Sequence, residues 1–403
     1  MINDQQAKNN YKPIFNRTYL KYLGFVVAIV IILLSKKAPT PLDQPIALTA
    51  SNPALHVLKV DDLAQPRLFL SFITSPALSS QQKIERELAY QALRKATKTN
   101  VMVFNALWTF DRLELELRWQ QGQTIDLKQT LQKFLTDSLN NINNQDRKII
   151  TASQYLTDQA DDMVLLNALE QRIAYSLAPS TPLNQILNIT PTALLITDED
   201  SDKQLLLTIE QQLIAMFSRA LIKLPENISY QQNSSTEYTN HNAHKLLIAS
   251  QIKMQTNLQS SIDLLSHFIL SDILTSQQAR LGFDFRLVRK PIYYNGYQAV
   301  ILTSNKAMPE QLKSELLAAI DTDVIDRRLA KIKERLLEAY SDVIDDQDRL
   351  FSLYSKKLFY GFNTQSKSVY EEQLDNISTD QIMQQLQHLL GDQTTSIYLK
   401  PNR

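Results

Sequence analysis

The only close pair of histidines in this chain is His241-Asn242-Ala243-His244. Two imidazoles three residues apart can grip one ion. No sulfur ligand exists to help them, and the surrounding stretch is polar, so a solvated or structural role is the simpler reading. His56, His267 and His388 are isolated. Asp342, Asp345, Asp346 and Asp348 form an acidic run that could hold a hard cation, but no EF-hand spacing or glycine turn accompanies it, and it reads as a solvated helix end. Arg327, Arg328, Lys331, Lys333 and Arg335 form a basic face interleaved with acids, as on a salt-bridged solvent surface. Tyr293 and Tyr294 read as turn packing or an exposed aromatic contact.

The composition removes several classes of chemistry. The 403 residues carry no formal net charge, so no global field attracts nucleic acid or an anionic surface. There is no Cys, which excludes thiolate catalysis and Cys-based metal centres. Only 6 Gly occur and none sits in a phosphate-cradling loop. A hydrophobic content of 44% with 21% charged residues is that of a chain that buries real cores.

The elements that must position any site are written twice. Arg67 to Ile73, a polar break and the helical stretch Gln81 to Ala96 are echoed by Lys245 to Ile252, a break and Ser261 to Leu270. Each is followed by a strand pair and a further helix. In the first copy Leu113, Leu115, Leu117 and Trp119 alternate with Glu114, Glu116 and Arg118, predicting a strand with one buried side, partnered by Val101 to Phe104. Asp126 to Leu135 has helical spacing after Thr124, a candidate cap. Thr192 to Thr197 closes the copy as a strand, with a helix from Asp202 to Phe217. In the second copy Phe283 to Val288 alternates, Asn295-Gly296 is a hairpin dipeptide, and Tyr297 to Leu302 returns. Pro309 opens a helix, a long helix runs through Val324 to Tyr340, and a capped helix to Leu390 precedes the strand Thr395 to Leu399. The predicted class is α+β, two tandem two-layer domains, each an antiparallel sheet with helices on one face.

Leu23 to Leu34 is uninterrupted apolar sequence, and flanking residues extend it towards the length of a bilayer span. Lys8, Lys12, Arg17 and Lys21 precede it and no small-x-small cleavage site follows, which predicts an uncleaved signal anchor with the body exported. The expected organisation is a cytoplasmic tail (1–18), a transmembrane signal anchor (19–35), a Pro-containing tether (36–54), a first repeat (55–222), a linker (223–243) and a second repeat (244–403). That places the chain as a single-pass protein of the inner membrane with its bulk periplasmic.

The order of elements resembles the pitrilysin/insulinase family of zinc metallopeptidases, most clearly through Ile273-Leu274-Thr275-Ser276, Arg280-Leu281-Gly282-Phe283-Asp284-Phe285, the long basic helix and Asn376-Ile377-Ser378-Thr379-Asp380. The resemblance implies two facing halves that enclose peptides. It also implies a His-x-x-Glu-His helix in the first repeat that holds zinc and a catalytic base, with a further Glu from a later helix. Here the corresponding helix, Gln81 to Ala96, has no His; it offers Glu85 and Glu87, which cannot share a helical face. His267 stands alone on the equivalent helix of the second copy. The family's substrate-carbonyl pair, an Arg and a Tyr, falls on Gln278 and Phe285, and Phe has no hydroxyl to donate.

The reading is therefore a catalytically inactive family member with no catalytic residue, metal or cofactor of its own. It would be a non-catalytic subunit or scaffold for a ligand-complete relative, binding peptide or protein and no nucleic acid. A stand-alone envelope peptide-binding module is the alternative. A zinc peptidase with improvised ligands such as His241 and His244 is the third.

Overall fold

The computed structural model describes residues 46–47, 54–61, 63–174, 182–198, 203–217, 235–241, 243–252, 256–292, 295–309, 311–391 and 394–401. The predicted anchor at 19–35 and its tail lie outside them, as do Tyr293 and Tyr294. Among the described residues no helix is long and apolar enough to cross a membrane.

The first half contains β1 (Ile46–Ala47), β2 (Leu55–Lys59), β3 (Arg67–Ile73), α1 (Ser80–Thr97), β4 (Val103–Trp108) and β5 (Arg112–Arg118). It continues with α2 (Leu127–Asn140), α3 (Asn144–Asp158), α4 (Asp161–Ala174), a 3-10 turn (Leu183–Asn188), β6 (Thr192–Thr197) and α5 (Lys203–Phe217). The second contains β7 (Ser235–His241), β8 (His244–Ile252), α6 (Asn257–Leu281), β9 (Asp284–Ile292), β10 (Asn295–Ser304) and α7 (Leu312–Ala318). Then come α8 (Thr322–Ile344), α9 (Gln347–Phe359), α10 (Lys367–Asp375), α11 (Thr379–Leu390) and β11 (Thr395–Pro401).

The two sheets share one strand succession. The first runs β1-β2-β6-β3-β5-β4 and the second β7-β11-β8-β10-β9, the same plan once β1 is set aside. In each, the first long strand pairs in parallel with the last, and the other neighbours are antiparallel. The α+β class with two sheets thus matches the sequence pattern, although each sheet is mixed through its one parallel pair. Both sheets lie in one compact unit, Asp43–Arg403.

Local chemistry explains the boundaries. Ser79 and Gln82 form a reciprocal capping box at the start of α1, and Ser378 with Gln381 forms another at α11. Ile84, Leu88, Ala89, Ala92, Leu93 and Ala96 make one buried stripe along α1. Gly282 ends α6 in the left-handed region at φ 67°, where its N–H bonds the Gln278 carbonyl at 2.9 Å. Some expectations shift. Asp126, not Thr124, caps α2, because its carboxylate reaches the Gln129 N–H at 2.9 Å. Asn295 and Gly296 pair with Ile292 and Pro291, so the hairpin dipeptide lies inside β10. Ser235–His241, read as linker, is a strand because the free edge of β11 gives it a partner.

The largest correction concerns β5. Its charged face was expected in solvent, yet Arg112, Glu114 and Glu116 are buried. The cause is a helix from the other half: α9 lies across β3 and β6. Ser71 faces Glu114 across the β3–β5 ladder, and Ser355 of α9 donates to the same carboxylate at 2.5 Å. Arg112 lies 3.1 Å from Glu114. Tyr360 donates to Asp111 at 3.0 Å, and Arg67 and Arg118 reach Asp348. The acidic run is therefore no bare helix end: Asp346 caps α9 and Asp348 ties it to the first sheet. Conversely, α4 of the first half lays Leu165, Leu166 and Leu169 onto Leu247, Tyr297, Ile301 and Ile397 of the second sheet. Each half supplies the helix that covers the other's sheet.

Removing one member of a buried ion pair strands the other's charge, so Glu114→Ala should lower stability by about 3–5 kcal/mol. Leu156→Ala, at a residue 71% exposed, should change it by less than about 0.5 kcal/mol. Urea unfolding of both variants against the parent checks this pair.

Candidate functional site

The helix on which family ligands are expected, α1, lines a cleft of about 560 Å³. Lys83, Arg86, Glu87 and Gln91 face into it from α1, spaced so that one helical side carries them all. The opposite wall is Ile149, Ser153 and Gln154 of α3, and Lys290 arrives from β9 of the other half. Gln91 donates to Glu87 at 3.0 Å. Glu85 is turned away and bonded by Arg147 at 2.6 Å.

Beside this cleft lies a cage that sequence reasoning missed. Glu170 of α4 has a side chain with 0% exposure. It accepts from Lys83 at 2.9 Å, from Tyr297 at 2.7 Å and from Lys290. Lys83 also donates to Asn167 at 2.6 Å, which holds Asp158 at 2.9 Å. Burial alone would raise the Glu170 carboxyl, but the two ammonium groups outweigh it and hold the pKa below the usual range. The available signal was a single charge directly after the largely apolar run Val164 to Leu169, the mark of a helix whose partners sit in another element. Arg86 is pinned to the carbonyls of Phe110, at 2.6 Å, and Ser75. Burial pulls its guanidinium down to about 10, against the opposing charge of Asp111, so it stays a cation at neutral pH.

These residues do not fit a zinc ion. Zinc takes imidazole, thiolate or carboxylate donors in a tetrahedron. The cleft face of α1 offers one carboxylate, one amide and two cations, and Lys290 adds a third positive charge. Among the described residues no group of three or more His, Asp or Glu is placed to hold a metal.

The other candidate residues lie apart from this cleft. Gln278, near the exposed end of α6, donates to Asp284 at 2.5 Å. Phe285 is half-buried against the second core. The pair stands near one strand start but is engaged with its own half. His241 ends β7 and His244 begins β8, strands separated in the sheet by β11. His267 shares a hydrogen bond with Gln298 at 3.1 Å, and burial, then Arg289, lowers its pKa. His56 is lowered by burial, and His388 contacts the Gln251 carbonyl at 3.3 Å. On the basic face, Lys333 caps the Ile377 carbonyl at 2.9 Å, and Arg327 and Arg328 bond backbone carbonyls of their own helix.

No protein-family model and no curated protein matches the sequence. Solved structures do match. The peptidase M16 inactive domain from Pseudomonas fluorescens aligns with a TM-score of 0.59 at 15% identity, over 89% of this chain and 98% of that one. A protease from Helicobacter pylori aligns with a TM-score of 0.57 at 14% identity, over 89% and 100%. The periplasmic protease PqqL from Escherichia coli gives 0.52 at 14%, over 91% of this chain and 48% of PqqL. The fold is that of the M16, pitrilysin/insulinase-like peptidases.

Because the Glu170 pKa is depressed, its contribution to stability is complete above the ordinary Glu value near pH 4.3 and is lost as pH falls through the folded value. Glu170→Gln should therefore be clearly less stable than the parent at neutral pH. The gap should narrow as the pH is lowered from about 5 to about 3. Unfolding midpoints measured across that range check both the sign and the window.

Proposed function

We propose that this chain is a non-catalytic M16-like protein, anchored in the inner membrane, that serves as a subunit or scaffold for a ligand-complete relative. The observation that carries the proposal is the meeting of an intact M16 fold with an α1 cleft whose inward groups are Lys83, Arg86, Glu87 and Gln91. A fold retained without its metal donors still supplies walls, sheet edges and an interface for peptides. That one structural neighbour is described as an inactive M16 domain, and another as periplasmic, agrees with this reading. The apolar stretch Leu23 to Leu34 supports the anchor. The matching strand succession of the two sheets supports a duplication that produced two homologous domains. The stand-alone peptide-binding module stays the second reading, since the same walls serve it equally.

The purified chain is expected to hold no stoichiometric zinc by metal analysis and to cleave no peptide library, with or without chelator. One zinc per chain together with chelator-sensitive cleavage would sink the proposal. Affinity capture from solubilised membranes separates the two readings. A co-purifying protein with a His-x-x-Glu-His helix supports the subunit. Recovery of the chain without any such protein supports the stand-alone module.

A further inference from the structure

A second pocket, of about 360 Å³, lies in the second half under α9, away from the α1 cleft. Its walls are apolar and aromatic: Leu264, Leu336, Leu353, Phe362 and the tyrosines 340 and 370. The two tyrosine rings are 4.4 Å apart. Set into those walls are three cations, Arg289, Lys356 and Lys357, and among the described residues no Asp or Glu lines the pocket.

The cations are poorly compensated. The Nε and Nη2 of Arg289 are shut from solvent and have no hydrogen-bond partner. Asp263 acts on it by charge, but among the described residues no hydrogen bond joins the two; burial raises the Asp263 carboxyl. Tyr360, also in the wall, gives its hydroxyl to Asp111. Lys356 is exposed, and desolvation followed by Arg112 and Arg289 lowers its pKa against the opposing charges of Asp111 and Glu114. Among the described residues Lys357 meets a neutral amide, Gln365 at 3.3 Å, and the faces of Tyr340 and Tyr370. Burial pulls it down to about 8. A guanidinium edge whose two donors lack partners matches the two oxygens of a carboxylate. The apolar walls match a hydrocarbon or aromatic body, and the volume suits one or two residues.

We propose that this pocket binds an apolar monocarboxylate, with the carboxylate on Arg289 and Lys356 and the apolar part against Tyr340 and Tyr370. The free C-terminus of a peptide ending in Leu or Phe and a small free acid such as phenylpropionate share this chemistry. The inference stands whether or not the chain is catalytic.

Calorimetric titration of the full chain with a tetrapeptide ending in Phe, its C-terminal amide, 3-phenylpropionate and inorganic phosphate tests it. The free acid should bind at least about tenfold more tightly than the amide, the loss of a charge-assisted bidentate contact. Arg289→Gln should remove that preference, and Lys356→Gln should weaken it. The second variant is needed because the first alters a partly buried strand residue. Binding of both peptide and phenylpropionate supports the class as a small-acid site; binding of the peptide alone supports a chain-terminus site. Equal affinity for acid and amide overturns the proposal. So does tighter binding of phosphate than of either acid, no binding of any acid, or acid binding unchanged in both variants. Metal content and capture of a relative do not enter these readouts, so this proposal and the subunit reading fail separately.

Discussion

The fold depends on an exchange of cover between its halves. A mixed sheet with helices on one side leaves its second face needing protection, and here that protection comes from the opposite repeat. Helix α4 closes the second sheet with leucines, whereas α9 closes the first with Ser355, Phe351 and Phe359. The two solutions differ in chemistry because the covered faces differ. The second sheet presents mainly Leu247, Ala299 and Ile301, so burial of apolar area drives the contact, and the buried charge that α4 brings, Glu170, is bonded by Tyr297 and Lys290. The first presents Ser71, Glu114 and Arg112, and there each buried polar group must find a partner before the contact becomes favourable. The apolar contact supplies adhesion. The polar one penalises any other register of α9, because a shift would leave Glu114 with fewer of its donors.

The sequence showed the elements better than their environment. Period-two alternation located β5 within a residue at each end, because alternation is a property of the strand itself, and the run Thr192 to Thr197, which does not alternate, matched β6 in full. The same alternation misjudged β5's polar face. A strand of alternating Leu and Glu looks identical whether its Glu side meets water or a serine- and tyrosine-bearing helix brought from 240 residues away. The acidic run at Asp342 to Asp348 misled for the same reason: Asp348 finds Arg67 only after the halves close. Helices α3, α4, α9 and α10 carried no expectation, and two of them are the covering pair.

The candidate site was half legible. The missing imidazoles of α1 could be read directly, since absence of a residue type needs no coordinates. What fills their place could not. Lys83 lies on α1, Glu170 on α4, and Lys290 and Tyr297 on β9 and β10, and only the crossing of α4 onto the second sheet gathers them. The conspicuous pair His241 and His244 is divided by β11, a strand from the far end of the chain that no local reading places between them.

These placements explain how catalytic chemistry and architecture can separate in such a fold. A zinc site makes three or four protein groups converge and lends them the charge of the ion. Beside α1 a different set converges: the Lys83 and Lys290 ammonium groups supply the positive charge, Glu170 the negative, and Tyr297 the neutral donor. The cage joins α1, α4, β9 and β10, which places stabilising contacts across both halves at the edge of the cleft. Seating a metal there would need more than new histidines. The two ammonium groups would have to leave, and with them the partners that make a fully buried Glu170 tolerable. The cage therefore sets the electrostatics of this edge of the cleft, with two ammonium groups balanced on one buried carboxylate.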